Sequence, residues 1–196
     1  MMTLYLSMAG FALATSISPG PVNVMALSSG TAHGLRATLP LVAGSTLGFV
    51  LLLVLAGMGL AELLRGWPLV ATFTRWAGVG FLLWMGWALW TSGGGVAAGH
   101  PPPAPSAWQG AAMQWLNPKA WVAALAGAGV YAGDDAARLW SLAAVYAVVC
   151  GLSIGVWAYA GARLRPLLAD ARRMRLFNRV MASLLAASAI PIGLAV

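Results

Sequence analysis

The sequence predicts an all-α integral membrane protein in which six transmembrane helices form two inverted three-helix repeats. Three observations lead there. Hydrophobic residues make up 61% of the chain and charged residues 8%, against about 25% charged in soluble domains. A globule of 20.2 kDa cannot bury that much apolar surface, whereas a bilayer solvates it. The apolar residues also fall into six stretches, each long enough for the roughly 20 residues that a membrane-crossing helix needs. Finally, the first and fourth stretches are broken by proline motifs at matching places, Ser18-Pro19-Gly20-Pro21 and Asn117-Pro118-Lys119.

The six stretches run over 3–30, 38–61, 69–91, 108–132, 139–162 and 177–196. Residues 1–196 read as a single membrane domain: repeat one over 1–91, a flexible loop over 92–107, repeat two over 108–196. No basic residue precedes Arg36, so the positive n-region of a signal peptide is missing and the first stretch is read as retained. The second stretch carries Gly44-Ser45-Thr46-Leu47-Gly48, and the fifth carries Gly151-Leu152-Ser153-Ile154-Gly155. Both are small-xxx-small motifs that let helix backbones approach closely, and they occupy equivalent helices of the two halves. Trp76, Trp84, Trp87 and Trp90 in the third stretch suit the membrane interfaces and lipid-facing packing. The uncharged run from Ser92-Gly93-Gly94-Gly95 to Pro105 has the composition of a flexible linker. Arg163 to Arg179, with Leu164, Leu167, Leu168, Leu176 and Phe177, predicts a short amphipathic piece on anionic lipid.

The basic residues orient this bundle. With six spans, the connections after the first, third and fifth share one side. They carry Arg36, Arg163, Arg165, Arg172, Arg173, Arg175 and Arg179. The other side has Arg65, Arg75 and Arg138, offset by Glu62, Asp134 and Asp135. The richer side faces the cytoplasm by the positive-inside rule. Both termini then lie outside a bacterial inner membrane. An odd number of helices per half sets the two halves in opposite orientations, which makes the repeat inverted.

Several function classes find no residues to carry them. Cys150 is the single cysteine, which excludes an intrachain disulfide and paired-thiol redox chemistry; it reads as packing. His33 and His100 stand alone in expected loops, and no ligand cluster suggests a metal. No cofactor is expected. No nucleophile, base and orienting group can be assembled, so an enzyme is not expected. The net charge of +7 comes from arginines flanking apolar stretches, a pattern of membrane orientation rather than of nucleic-acid binding.

The paired interruptions are the chemistry-bearing feature. Proline inside a helix removes a hydrogen bond and clashes with the preceding turn, at about 3 kcal/mol in water. In lipid the freed groups must find protein partners, so broken helices persist where they are buried or line a cavity. Corresponding interruptions in two halves point to a transporter's substrate site. Around Pro19, Gly20 and Pro21, unwound carbonyls can accept from an ammonium, and the helix restarting near Pro21 offers free N–H groups and a positive dipole end to a carboxylate. A zwitterionic amino acid supplies both groups. Lys119 is an ionisable side chain inside a span, which costs about 3 kcal/mol or more at mid-membrane and marks a functional candidate. It can hold a carboxylate or release a proton; the bland alternative is that it snorkels to the cytoplasmic interface. Asn23, Gln114 and Asn117 can bind substrate or cap the broken helices, and for Asn117 capping is the expected role. The substrate-binding or gating set is therefore Pro19, Gly20, Pro21, Asn23, Gln114, Asn117, Pro118 and Lys119, with Gly44, Gly48, Gly151 and Gly155 as helix-packing positions.

At these residues the chain resembles the LysE/RhtB family of bacterial amino-acid exporters. The shared features are the early Ser18-Pro19-Gly20-Pro21 with Asn23 close by, Gly44-xxx-Gly48, Gly57-Met58-Gly59-Leu60, Gly80-Phe81-Leu82 with Trp84 and Gly86, and Gln114-Trp115-Leu116-Asn117-Pro118-Lys119. The resemblance covers essentially the whole chain in order and spacing. It implies export of amino acids or related small metabolites by proton-driven antiport, and a homodimer. There are departures. Val22 stands between Pro21 and Asn23, the middle loop is uncharged and proline-rich, and no Asp or Glu lies clearly within a span. The last point argues against a dibasic substrate, so a neutral amino acid is expected. The alternatives are export of another small metabolite or a cation, and a membrane interaction protein that transports nothing.

Overall fold

The structure is a computed structural model that describes residues 2–60, 68–91, 103–168 and 170–194. All the elements among them are helical. α1 (Met2–Ile17) and α2 (Pro21–His33) are separated by a short extended segment, where Gly20 has φ −171° and ψ 173°. Pro21 opens α2 at the one helical position where a missing N–H is harmless. Gly34, at φ 81°, turns the chain into α3 (Leu35–Leu55), which runs on into a π-helical turn, Ala56–Leu60. α4 (Pro68–Thr91) completes the first half.

The second half also begins with a helix that stops and restarts at a proline motif. α5 (Ala107–Trp115) opens on a capping box: Ser106 Oγ accepts from the Gln109 N–H at 3.2 Å, and the Ser106 N–H donates to Gln109 Oε1 at 2.8 Å. α6 (Pro118–Gly127) restarts after Asn117 and passes into a second π-helical turn, Ala128–Ala132. α7 (Ala136–Leu164) is capped by Asp135, which accepts from the Arg138 N–H at 3.1 Å and pairs with its guanidinium at 3.1 Å. α8 (Ala171–Leu194) is the last element.

Leu35–Gly59 and Ala136–Leu164 are long and apolar enough to cross a membrane; the 29 residues of α7 rise about 43 Å at 1.5 Å per residue. α1, α2, α5 and α6 are each shorter than a span, because each is one side of a break. α1, α2, α3, α6 and α7 enclose the main core, centred on Leu52, Leu53, Leu142 and Tyr146. α4 and α8 pair beside it through Leu82, Met181 and Leu185, and lean on Val24 and Leu27 of α2. Large apolar side chains also cover the outside: Leu47 is 68% exposed, Leu152 66% and Trp87 68%. Trp76, Trp84 and Trp90 point outward with Trp87, and none of them lines the cavity described below.

Two sequence expectations meet a different outcome. The basic stretch after α7 is not one amphipathic piece. Asp170 Oδ1 accepts from the Arg172 and Arg173 N–H groups at 2.9 and 3.0 Å, so α8 begins at Ala171 and the arginines are divided between two helix ends and a turn. The glycine pairing is also unequal. A Cβ at Gly44 would collide with the Ala107 carbonyl, and one at Gly48 would stand 2.8 Å from Ala111 Cα. At Gly151 a Cβ would meet only the Thr46 side chain at 3.5 Å, and at Gly155 nothing within 4 Å. The close approach of α7 is made instead by Gly161 against the Leu27 carbonyl and by Gly30 against the Ala158 carbonyl, because the short α2 crosses α7 near its C-terminal end. The connection expected over 92–107 lies mostly outside the described residues, as do Glu62, Arg65 and His100.

Candidate functional site

The last turn of α1 leaves four carbonyls without helical partners, and buried carbonyls need donors. Each has one. Ser18 Oγ donates to the Ala14 carbonyl at 2.8 Å and to Thr15 at 3.4 Å. Asn23 Nδ2 donates to the Ser16 carbonyl at 2.8 Å, and Trp157 Nε1 donates to Ile17 at 2.9 Å. Beyond the helix, the Ser18 carbonyl accepts from Asn23 Nδ2 at 2.9 Å and from Lys119 Nζ at 2.7 Å. Lys119 Nζ also reaches Ser18 Oγ at 2.7 Å and the Pro19 carbonyl at 3.3 Å. The lysine of the second interruption therefore sits on the unwound backbone of the first.

The second break is closed locally. Asn117 Oδ1 accepts from the Lys119 N–H at 3.2 Å, and its backbone carbonyl accepts from Ala120 at 2.9 Å. Asn117 Nδ2 donates to Gln114 Oε1 at 3.4 Å. α6 thus starts with a side-chain cap, whereas Gly20 gives α2 none. The two restarts are chemically unequal: only α2 presents an uncapped N-terminus.

Between the breaks is a cavity of about 30 Å³ lined by Thr15, Ser16, Gly20, Val22, Asn23, Phe49, Gln114, Asn117, Lys119, Ala120, Ala123, Cys150 and Ile154. Its lining combines polar side chains, Thr15, Ser16, Asn23, Gln114, Asn117 and Lys119, with apolar ones. Among the described residues, no carboxylate lines the cavity. A void this small has room for about one or two waters, so a larger guest requires helix movement. Of the sequence-derived set, Gly20, Asn23, Gln114, Asn117 and Lys119 line it, while Pro19 meets Lys119 through its carbonyl and Pro21 and Pro118 are buried helix starts. Thr15, Ser16 and Phe49 are lining residues that the motif reading missed, as it missed Trp157, which supports the first break through the Ile17 carbonyl. Cys150 is a lining residue too; it walls the cavity rather than serving only as packing. Tyr146, Cys150, Ile154 and Trp157 fall at steps of four, four and three, one helical face, and that spacing was the available signal.

Apolar helices with an outward apolar surface, and two interrupted helices that meet at a shared cavity, are the features of a helical membrane protein. The chain belongs to the LysE type translocator family, whose family model matches residues 13–196. Among curated proteins it is similar to the cysteine/O-acetylserine efflux proteins of Salmonella typhimurium (strain LT2) and Escherichia coli (strain K12), each 34% identical over 110 residues. Each match covers 56% of this chain and 55% of the relative, so the chain spans little more than half the length of the curated relatives it matches. No solved structure matches.

Proposed function

We propose that this protein exports small neutral amino acids from the cytoplasm in exchange for protons, through six spans arranged as two inverted repeats with the arginine-rich side inward. The observation that carries the reading is Lys119 Nζ on the Ser18 carbonyl and hydroxyl. An ammonium already occupies the place where a substrate ammonium would be bound. The Val22 and Asn23 N–H groups, at the uncapped start of α2, offer the matching place for a carboxylate.

These two features give an exchange rule. A substrate ammonium entering from the cytoplasm takes the Ser18 and Pro19 carbonyls and displaces Lys119. Without its acceptors and among apolar walls, the displaced lysine gives up its proton on the cytoplasmic side. After the substrate leaves outward, Lys119 regains a proton from outside and returns to the carbonyls. One cation is held at a time, so substrate moves out as a proton moves in.

Phe49, Ala120, Ala123 and Ile154 in the lining suit a short side chain, and the described lining residues offer no carboxylate to partner a second ammonium. The relatives' named substrates, cysteine and O-acetylserine, are small neutral amino acids, which supports the same class here. The test is export from proteoliposomes preloaded with the twenty amino acids, with and without an imposed pH gradient. Gradient-dependent loss of a few small neutral ones is expected. Loss of arginine or lysine alone, or of none from folded and oriented protein, would overturn the reading.

A further inference from the structure

One turn from the cavity, four aromatic side chains meet. Phe11 stands one turn before Thr15 on α1, and Tyr146 one turn before Cys150 on α7; Thr15 and Cys150 both line the cavity. The Phe11 ring lies 5.6 Å from that of Tyr131 and 6.5 Å from that of Tyr146, and Tyr146 lies 4.7 Å from Phe49. Phe49 is itself a wall residue. Tyr131 belongs to the π-helical turn that follows α6.

These residues lie on the same side of the cavity. α1 and α7 both begin there, as the Tyr5 to Ser141 hydroxyl contact at 3.5 Å shows, and α6 ends there, as the Ser7 to Tyr131 contact at 2.9 Å shows. The cluster therefore occupies the route from the cavity to the end of the bundle where the chain starts.

Two hydroxyl contacts hold it. Tyr146 Oη and Thr15 Oγ1 are 2.9 Å apart, and Tyr131 Oη meets Ser7 Oγ at 2.9 Å and donates to the Ser7 carbonyl at 3.2 Å. The backbone that carries Tyr131 is built unlike ordinary helix. π-Helical turns concentrate at functional sites. Gly133, just past the turn, is glycine because of its φ of 51°, whereas a Cβ at Gly129 would meet nothing within 4 Å, so packing does not require glycine there. Gly127 does have a packing reason: a Cβ on it would come 3.2 Å from Phe11 Cε1, so its bare backbone seats the Phe11 ring.

We propose that Phe11, Phe49, Tyr131 and Tyr146 form the gate that closes the cavity toward the end of the bundle where α1 begins, latched by the Tyr146–Thr15 and Tyr131–Ser7 contacts. The inference rests on the exporter reading for its purpose: release of substrate outward requires this cluster to part while Lys119 returns to the Ser18 carbonyl. Its geometry and its test stand apart from that reading.

Cys150 supplies the probe. It is the single cysteine of the chain, it lines the cavity, and it is 3% exposed. The experiment is the labelling rate of Cys150 in reconstituted protein by a membrane-impermeant maleimide, applied only from the side of the N-terminus. The wild type should label slowly. Tyr146→Phe and Tyr131→Phe keep the rings and remove the latches; each should raise the rate about fivefold, the factor corresponding to a net hydrogen bond of ~1 kcal/mol. Phe11→Ala should raise it further. Met181→Ala, in the α4–α8 contact, serves as a control for general loosening and should leave the rate unchanged. Equal rates in all variants, or an equal rise with Met181→Ala, would overturn the gate. If labelling behaves as expected but no amino acid is exported, the gate stands and the exporter reading falls; the converse result removes the gate alone.

Discussion

Lys119 and Ser18, 101 residues apart in sequence, are joined by two contacts of 2.7 Å, from the lysine ammonium to the serine carbonyl and to its hydroxyl. The pairing ties the two interrupted helices to each other at the cavity. It predicts that Lys119→Met stops gradient-driven export. Hydrogen bonds to a charged group contribute about 1.5–3 kcal/mol, so driven flux should fall at least about tenfold. The Ser18 carbonyl keeps Asn23 as a donor, so the variant should still fold and insert. Proteoliposome flux read beside thermal unfolding separates the two effects. Undiminished driven flux would remove Lys119 from the coupling step.

Asn23 has a different task. Its amide donates to both the Ser16 and Ser18 carbonyls, so its first duty is to the break itself. Asn23→Ala removes two hydrogen bonds of about 1 kcal/mol each. For a chain of this size that corresponds to a fall in Tm of about 4–8 °C. Asn23→Asp should cost more, because a carboxylate cannot donate and would face two carbonyl oxygens. Thermal unfolding in detergent tests the order wild type, Ala, Asp. An Asp variant as stable as the wild type would show that these carbonyls do not need the amide.

The start of α8 carries a pH dependence. Backbone N–H donation from Arg173, then from Arg172, together with the nearby Arg173 and Arg175 charges, holds the Asp170 carboxyl below its ordinary value of 3.8. A lowered folded-state value means that the carboxylate's stabilisation is complete above 3.8 and is lost as pH falls through the lower, folded value. The first turn of α8 should therefore loosen in acid. Asp170→Asn keeps a capping side chain and should remove that dependence. The Arg172 and Arg173 amide signals in an NMR titration from neutral to acid pH would report it, and identical titrations of both proteins would contradict the capping account.

Much of this arrangement was legible in the residues. Proline announces its own effect, because it removes a donor wherever it sits, and α1 and α5 stop just before Pro19 and Pro118. A charged side chain in an apolar stretch is equally loud, and Lys119 proved to be a cavity residue. What the sequence withheld were relations between distant segments. Ser18 looks like a generic turn residue until Lys119 is beside it. Trp157 is one tryptophan among ten until its indole N–H is seen on the Ile17 carbonyl. Glycine spacing misled for the same reason: a small-xxx-small motif states that close approach is possible, not which helix arrives.

That distinction can be measured on Gly44 and Gly155, which are members of matching motifs with opposite surroundings. A methyl group at Gly44 would strike the Ala107 carbonyl, backbone that cannot turn aside, so α3 and α5 would have to separate. Overpacking of this kind costs about 1–3 kcal/mol. At Gly155 a methyl group would meet nothing within 4 Å, and alanine is the better helix former by up to about 1 kcal/mol. Gly44→Ala should therefore lower Tm, while Gly155→Ala should leave it unchanged or raise it. The same contrast should appear in flux, because α5 leads directly into Gln114 and Asn117 at the cavity, whereas Gly155 touches no part of it. Equal losses at both positions would mean that a surface left open in the single chain is occupied in the membrane by another helix.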